Sequence, residues 1–309
     1  MSSLPIELEY LAKHRLSLKR VKEAKGINSQ IYEFSHHRRD YVLKIYKGDF
    51  EKHQSARIRE EASIRFLNRN GFIRTPILIE QFSSEQVLCM EKIGRLHAKS
   101  NRSSARTLWE SFVQLKDIYC LNPNFESAVD FANSTTDILN QIRISELTDK
   151  DVYAREKKLI EKGFKNLKAF NEIRFPSQSL TYSLSDVGTH NMMLKENKNI
   201  VFIDFEYFGK DSAVKMICDF ILHPRNEFSE SVNRHILKRS SKIFGIDDDC
   251  LQQAIPFFAL KWCQIVLKKL SRLDSKHEIK AGKKLFHHYM NTALGLTNSK
   301  EIRSSTSGI

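Results

Sequence analysis

The sequence predicts an α+β chain in which a small N-terminal antiparallel sheet carrying one helix is followed by a larger, mainly helical part. Two observations carry this expectation. Apolar residues alternate between turn-forming clusters over the first ~90 residues, the period of strands. After Gly94 they recur instead at helical spacing. The chain has 309 residues, 41% hydrophobic and 28% charged, enough for one large domain or two ordinary ones with real cores. The change of character between Ile93 and Ser100 predicts a division into 1–93 and 94–309.

Along the chain, a strand is expected at about Leu18 to Glu23, closed by the turn Lys25-Gly26-Ile27-Asn28-Ser29. Gln30 to Phe34 and Tyr41 to Tyr46 then alternate around His36-His37-Arg38-Arg39-Asp40, the pattern of an antiparallel hairpin. From Phe50 to Asn70, Ala56, Glu60, Ile64 and Leu67 share one helical face, and Gly71 is placed to end the helix. Thr75 to Ile79 and Gln86 to Met90 read as two further strands. Beyond Gly94, Leu108, Phe112, Leu115 and Tyr119 mark one helix; Leu159, Phe164 and Leu167 mark another within Arg155 to Asn171. Later helices are expected at Val214 to Leu222 and Ile255 to Leu270, with a short hairpin between Asn191 and Phe205. The segment from Asn298 to Ile309 is polar and small, as frayed ends are.

Composition narrows the function classes. No apolar run approaches the ~18–20 residues that cross a bilayer. Met1 to Tyr10 carries Glu7 and Glu9 where a secretory signal has a basic stretch and an apolar one. Five cysteines, odd in number and without a CxxC pair, suggest reduced thiols. Together these features point to a cytoplasmic protein without a membrane partner. The net charge of +13 is spread in singles and pairs among acidic neighbours, which argues against nucleic-acid binding as the main function and leaves anionic small molecules as partners. The pairs His36-His37 and His287-His288 read as solvated surface residues.

The chemistry is concentrated between Tyr182 and Glu206. Asp186 lies in a loop, Asn191 five residues on, and the apolar run Ile200-Val201-Phe202-Ile203 ends in Asp204. Phosphoryl transfer needs a carboxylate beside the attacking hydroxyl and oxygen ligands for Mg²⁺ on the nucleotide phosphates. Asp186 suits the first role, Asn191 and Asp204 the second. Taken singly, Asp186 also suits a turn and Asp204 a cap. Upstream, Lys44 interrupts the apolar strand Val42-Leu43-Lys44-Ile45, either to snorkel to solvent or to reach the phosphates. The second role requires a carboxylate to fix it. Glu60 shares the inward face with Ile64 and Leu67, while Glu61 lies about 100° around the helix.

In this order of motifs the chain resembles the aminoglycoside phosphotransferase and choline kinase branch of the protein-kinase-like superfamily, from about Val21 to Pro224. The resemblance implies a bilobal fold and transfer from ATP, with GTP as the alternative, to a small-molecule hydroxyl with Mg²⁺. It places Lys44, Glu60, Asp186, Asn191, Asp204 and Glu206 in the site. It implies a hinge at Met90-Glu91-Lys92-Ile93, with backbone groups of Glu91 and Ile93 meeting the adenine, and a phosphate-covering turn at Gly26, Asn28 and Ser29. That turn has one glycine and also fits a plain hairpin. Asp219 is implied to brace the catalytic loop, against an ordinary polar position in a helix. Leu184-Ser185 replaces the family's histidine-glycine before the aspartate, and Glu206 replaces a protein kinase's glycine, which argues against a flipping activation segment.

Sites for cationic acceptors are rich in acidic or aromatic groups. In a basic chain the expected acceptor is therefore neutral or anionic, such as a sugar, a sugar acid or a phosphorylated metabolite. Trp109, Phe112 and Tyr119, and Lys261-Trp262-Cys263, are candidate walls or simply core. The alternative class is a non-catalytic nucleotide-binding regulator or scaffold.

Overall fold

The structure, a computed structural model, describes residues 19–20, 29–46, 50–84, 86–94, 97–147, 151–195 and 199–295. The chain divides into two compact units. The first is the chain up to Ala98 together with His190–Phe208; the second is Lys99–Thr189 together with everything from Gly209 on.

The first unit is built on a four-stranded antiparallel sheet of β1 (Lys19–Arg20), β2 (Ser29–His36), β3 (Arg39–Tyr46) and β4 (Val87–Glu91), in that order. His36 pairs with Arg39, and His37 and Arg38 both adopt positive φ, which makes the connection a tight two-residue turn matched to the strand twist. Phe34, Tyr41, Leu43, Ile45, Val87 and Cys89 form the core on one face of the sheet. The alternation of a strand turns Lys44 and Tyr46 to the other face, where helix α1 (Phe50–Arg69) packs against β3 and β4.

The end of α1 is set by Gly71. Its φ of +77° places it in the left-handed region, the Gly71 amide bonds the Asn68 carbonyl at 3.1 Å, and the Phe72 amide bonds the Leu67 carbonyl at 2.9 Å. These two bonds form a Schellman end, and Leu67 and Phe72, the positions that flank it, are both fully buried.

The expected strand over Thr75 to Ile79 does not form. This segment meets β4 through an isolated bridge at Leu78 and Met90 and through two backbone bonds, Ile79 to Cys89 and Glu91 to Ile77. Pro76 has no amide to extend the ladder, and Ile77 is exposed. The expected turn residues Gly26 and Asn28, most of the expected first strand and the segment from Asn298 on lie outside the described residues.

The second unit is mainly helical: α2 (Arg102–Leu121), α3 (Thr135–Gln141), α4 (Ala154–Lys168), α5 (Ala213–Leu222), α6 (Glu230–Phe244), α7 (Asp248–Leu270) and α8 (Lys276–Ala293), with one strand pair, β5 (Leu180–Ser183) against β8 (Gly209–Ser212). Asn101 caps α2 by accepting the Ser104 amide, and the helix buries Leu108, Phe112 and Leu115 with Ile118. In α4 the buried stripe is Glu156, Ile160, Gly163 and Leu167, one step around from the expected Leu159 and Phe164. The reason is Gly163: a Cβ there would lie 2.9 Å from the Leu260 side chain, so the glycine face is the one α7 approaches.

Among the described residues, α7 alone is long and apolar enough by composition to cross a membrane, and 61% of its apolar window is buried inside the protein. It packs against α3, α4, α5 and α8, as a core helix does.

Gly71→Ala should destabilise the protein by about 1–2 kcal/mol, the cost of a left-handed non-glycine residue. No atom lies within 4 Å of the added Cβ, so the cost is conformational alone. Urea denaturation measures it; an unchanged midpoint would contradict the left-handed helix end.

Candidate active site

Lys44 is 5% exposed in the middle of β3, which excludes the snorkelling role. Its Nζ lies 2.6 Å from Glu60 Oε2, 2.6 Å from Asp204 Oδ1 and 3.8 Å from Glu206 Oε2. Glu60 reaches it because the register that buries Ile64 and Leu67 also turns Glu60 inward, to 1% exposure. Glu61 faces outward and pairs with Arg57 and Arg65 on its own helix. The Tyr46 hydroxyl donates to the same Glu60 oxygen, and the Lys44 ammonium lies 5.1 Å from the Tyr46 ring centroid. Burial alone would lower the Lys44 pKa; Glu60 and then Asp204 outweigh it and hold the ammonium well above its ordinary 10.5. The stabilisation from this pairing is therefore complete below the ordinary lysine pKa and is lost only as pH rises through the higher folded-state value.

A short hairpin, β6 (Met192–Leu194) against β7 (Ile200–Phe202), sets Asn191 and Asp204 at the same end. The register continues past the strands, with the Ile203 amide bonded to the Asn191 carbonyl at 2.9 Å. Asn191 is buried, whereas the Asp204 side chain is 37% exposed. Asp204 has φ of +68°, a conformation that short polar side chains tolerate. One oxygen from each of Glu60, Asp204 and Glu206 lies within 4.8 Å of the others, and Glu60 Oε1 is buried without a hydrogen-bond partner among the described residues. An all-oxygen donor set of this kind suits a hard divalent cation such as Mg²⁺.

Asp186 belongs to the second unit. It follows Ser185, whose φ is +62°, and its Oδ1 lies 3.0 Å from His223 Nε2 and 3.4 Å from the Gly188 amide. Ser183 Oγ accepts the Ser185 amide at 3.0 Å, which supports the turn at the positive-φ serine. The loop is tied to the turn after α5. Asn226 Oδ1 accepts the Thr189 amide at 3.0 Å, Asn226 Nδ2 donates to the Val187 carbonyl at 3.2 Å, and the Thr189 hydroxyl donates to the Arg225 carbonyl at 2.6 Å.

Sequence reasoning missed His223 and Asn226. The available signal was the polar run His-Pro-Arg-Asn directly after an apolar helix. Asp219, expected to brace the loop, instead meets Lys215 Nζ at 3.1 Å, one turn away on the same helix. Lys215 also binds Asp211 at 3.0 Å.

At the expected hinge, the Glu91 amide donates to the Ile77 carbonyl and the Lys92 amide to the Asp40 carbonyl, while Met90 is buried in β4. Ile93 follows, and then Gly94, whose Cβ would lie 2.1 Å from the Leu194 carbonyl oxygen. Ser29, the described member of the expected phosphate turn, is the buried first residue of β2. Of the candidate walls, Trp109 and Phe112 are core, and Trp262 stands edge-on to His223 with centroids 5.2 Å apart.

No protein-family model and no curated protein matches the sequence. Solved structures do match. Choline kinase LicA from Streptococcus pneumoniae superposes with a TM-score of 0.62 at 13% identity, over 94% of this chain and 99% of that one. A spectinomycin phosphotransferase, APH(9)-Ia, solved with ADP and spectinomycin, matches over the full length of both chains with a TM-score of 0.57 at 11% identity. The streptomycin–ATP–APH(2")-IIa ternary complex matches with a TM-score of 0.57 at 16% identity, over 95% and 99% of the two chains. The chain thus has the protein-kinase-like fold that aminoglycoside phosphotransferases and choline kinases share.

Lys44→Met alone should cost about 3–5 kcal/mol, because it leaves Glu60 as an uncompensated buried charge. Combining it with Glu60→Leu should cost less than the sum of the two single changes, measured by chemical denaturation across the four proteins. Strict additivity would show that the two side chains are not coupled.

Proposed function

We propose, from a fold shared with small-molecule kinases, that this chain transfers the γ-phosphoryl group of ATP to a hydroxyl of a small molecule. The observation that carries the reading is the buried Lys44 ammonium held between Glu60 and Asp204 at 2.6 Å from each. A lysine fixed in this way is a positioned point charge for nucleotide phosphates.

Asn191 and Asp204, with Glu206 beside them, would hold Mg²⁺. Bound there, the metal would neutralise charge on the phosphates. Asp186 takes the proton of the acceptor hydroxyl. The acceptor oxygen forms its bond to the γ-phosphorus as the bond from that phosphorus to the bridging oxygen of ADP breaks, and the proton passes from Asp186 to solvent. The adenine meets backbone groups of Glu91 and Ile93 other than the Glu91 amide, which bonds the Ile77 carbonyl.

The acceptor is neutral or anionic. Three acidic side chains of the second unit are each paired with a lysine: Asp130 with Lys261 at 2.9 Å, Asp211 with Lys215 at 3.0 Å and Glu156 with Lys283 at 3.3 Å. With a net charge of +13, this offers little to a polycation.

A metabolite library incubated with labelled ATP and Mg²⁺ tests the reading. Label should pass to a neutral or anionic hydroxyl compound; transfer to aminoglycosides or choline alone would sink the acceptor class. Asp186→Asn should lower turnover by about 10²–10⁴-fold while leaving Mg²⁺–ADP affinity within a few-fold. Turnover close to wild type in that variant would remove Asp186 as the base.

A further inference from the structure

The turn that follows α5 carries more than a structural clamp. We propose that His223 is a positioning residue for the transfer reaction, donating its Nε2–H to Asp186 Oδ1 and fixing the rotation of that carboxylate. The proposal rests on the reading of Asp186 as the group that meets the acceptor hydroxyl.

The helix end places the histidine. Pro224 cannot continue α5, so the chain leaves the helix at His223, which adopts an extended conformation with φ −66° and ψ 123°. The Tyr289 hydroxyl donates to the Leu222 carbonyl and secures this end. The imidazole is 7% exposed and packs edge-on against Trp262, which in turn lies 5.9 Å from the Tyr289 ring. Its orientation is therefore set by packing before any hydrogen bond is counted.

The tautomer follows from the ring's own backbone. His223 Nδ1 accepts the Arg225 amide N–H at 3.1 Å. A ring nitrogen that accepts has a lone pair there, so the proton of the neutral imidazole resides on Nε2. Nε2 lies 3.0 Å from Asp186 Oδ1 and donates to it. His223 so disposed gives a hydrogen bond to the base and is not the base. The backbone around Asp186 is held separately, by Asn226 at Val187 and Thr189. The roles divide: Asn226 fixes the loop, and His223 at 3.0 Å, with the longer 3.4 Å bond from the Gly188 amide, orients the carboxylate within it. Small misplacement of a catalytic group costs up to ~10²-fold in rate, which is the scale the histidine would control.

The test uses the full chain with Mg²⁺–ATP and water as acceptor, together with NMR of protein labelled with ¹⁵N-histidine. His223→Phe keeps the ring against Trp262 and loses both nitrogens. It should lower kcat for hydrolysis by about 10–100-fold with KM for ATP within two-fold. His223→Asn, whose amide falls at the Nδ1 position, should lose as much. His223→Gln, whose amide N–H falls at the Nε2 position, should regain most of the rate.

A residue that only stabilises the fold would rank these variants by melting temperature instead. In the Asp186→Asn background, His223→Phe should have no further effect. The ring ¹⁵N spectrum should show the Nε2–H tautomer, with shifts that move on Asp186→Asn. Hydrolysis within two-fold of wild type for both Phe and Asn variants, or an Nδ1–H tautomer, overturns the proposal. If Asp186→Asn itself hydrolyses like wild type, the base assignment fails instead, and the spectrum still reports whether the hydrogen bond exists.

Discussion

An ammonium ion removed from water must be matched by negative charge close by, and Lys44 is the point at which this chain meets that demand. The strand supplies the lysine, α1 supplies Glu60 and the segment after β7 supplies Asp204. The last of these is 160 residues from the lysine along the chain. The contact ties the segment that follows the hairpin 192–202 to the sheet, and His190–Phe208 belongs to the first unit although the chain on either side of that segment belongs to the second. The ion cluster is the candidate phosphate-binding centre, and it joins a distant segment to the sheet alongside the Phe202 amide bonded to the Arg74 carbonyl and the stacking of Phe202 on Phe72.

Where periodicity and charge agreed, the sequence was legible. The inward register of Glu60 could be read because Ile64 and Leu67 lie on its face, and the hairpin around His37 because strong alternation flanks it. Other elements were obscured by effects that act across space. Thr75 to Ile79 has strand-like residues, yet a proline and an exposed isoleucine leave it as a bridge. The inner face of α4 was misplaced because a glycine, which adds nothing to an apolar pattern, is where the neighbouring helix comes nearest.

The loop around Asp186 shows the same limit at its sharpest. Asp186 could be singled out by its spacing to Asn191, since both lie on one continuous stretch. Its partners could not, because His223 and Asn226 come from 37 and 40 positions downstream and have no periodicity to reveal them. The family pattern drew attention to Asp219, whose carboxylate is engaged with Lys215. With Leu184-Ser185 in place of histidine-glycine, the strained φ at Ser185 is supported by Ser183 instead. A strained turn needs a fixed support, and different side chains can provide it.

Gly94 shows how backbone proximity can restrict substitution independently of chemistry. With the Leu194 carbonyl oxygen occupying the space a methyl group would need, every one of the other nineteen amino acids would force the two main chains apart. The segment leaving β4 is thereby set directly against the hairpin that bears the metal-ligand candidates. Whatever the surrounding side chains do, this junction has room for a hydrogen atom and not for a methyl group.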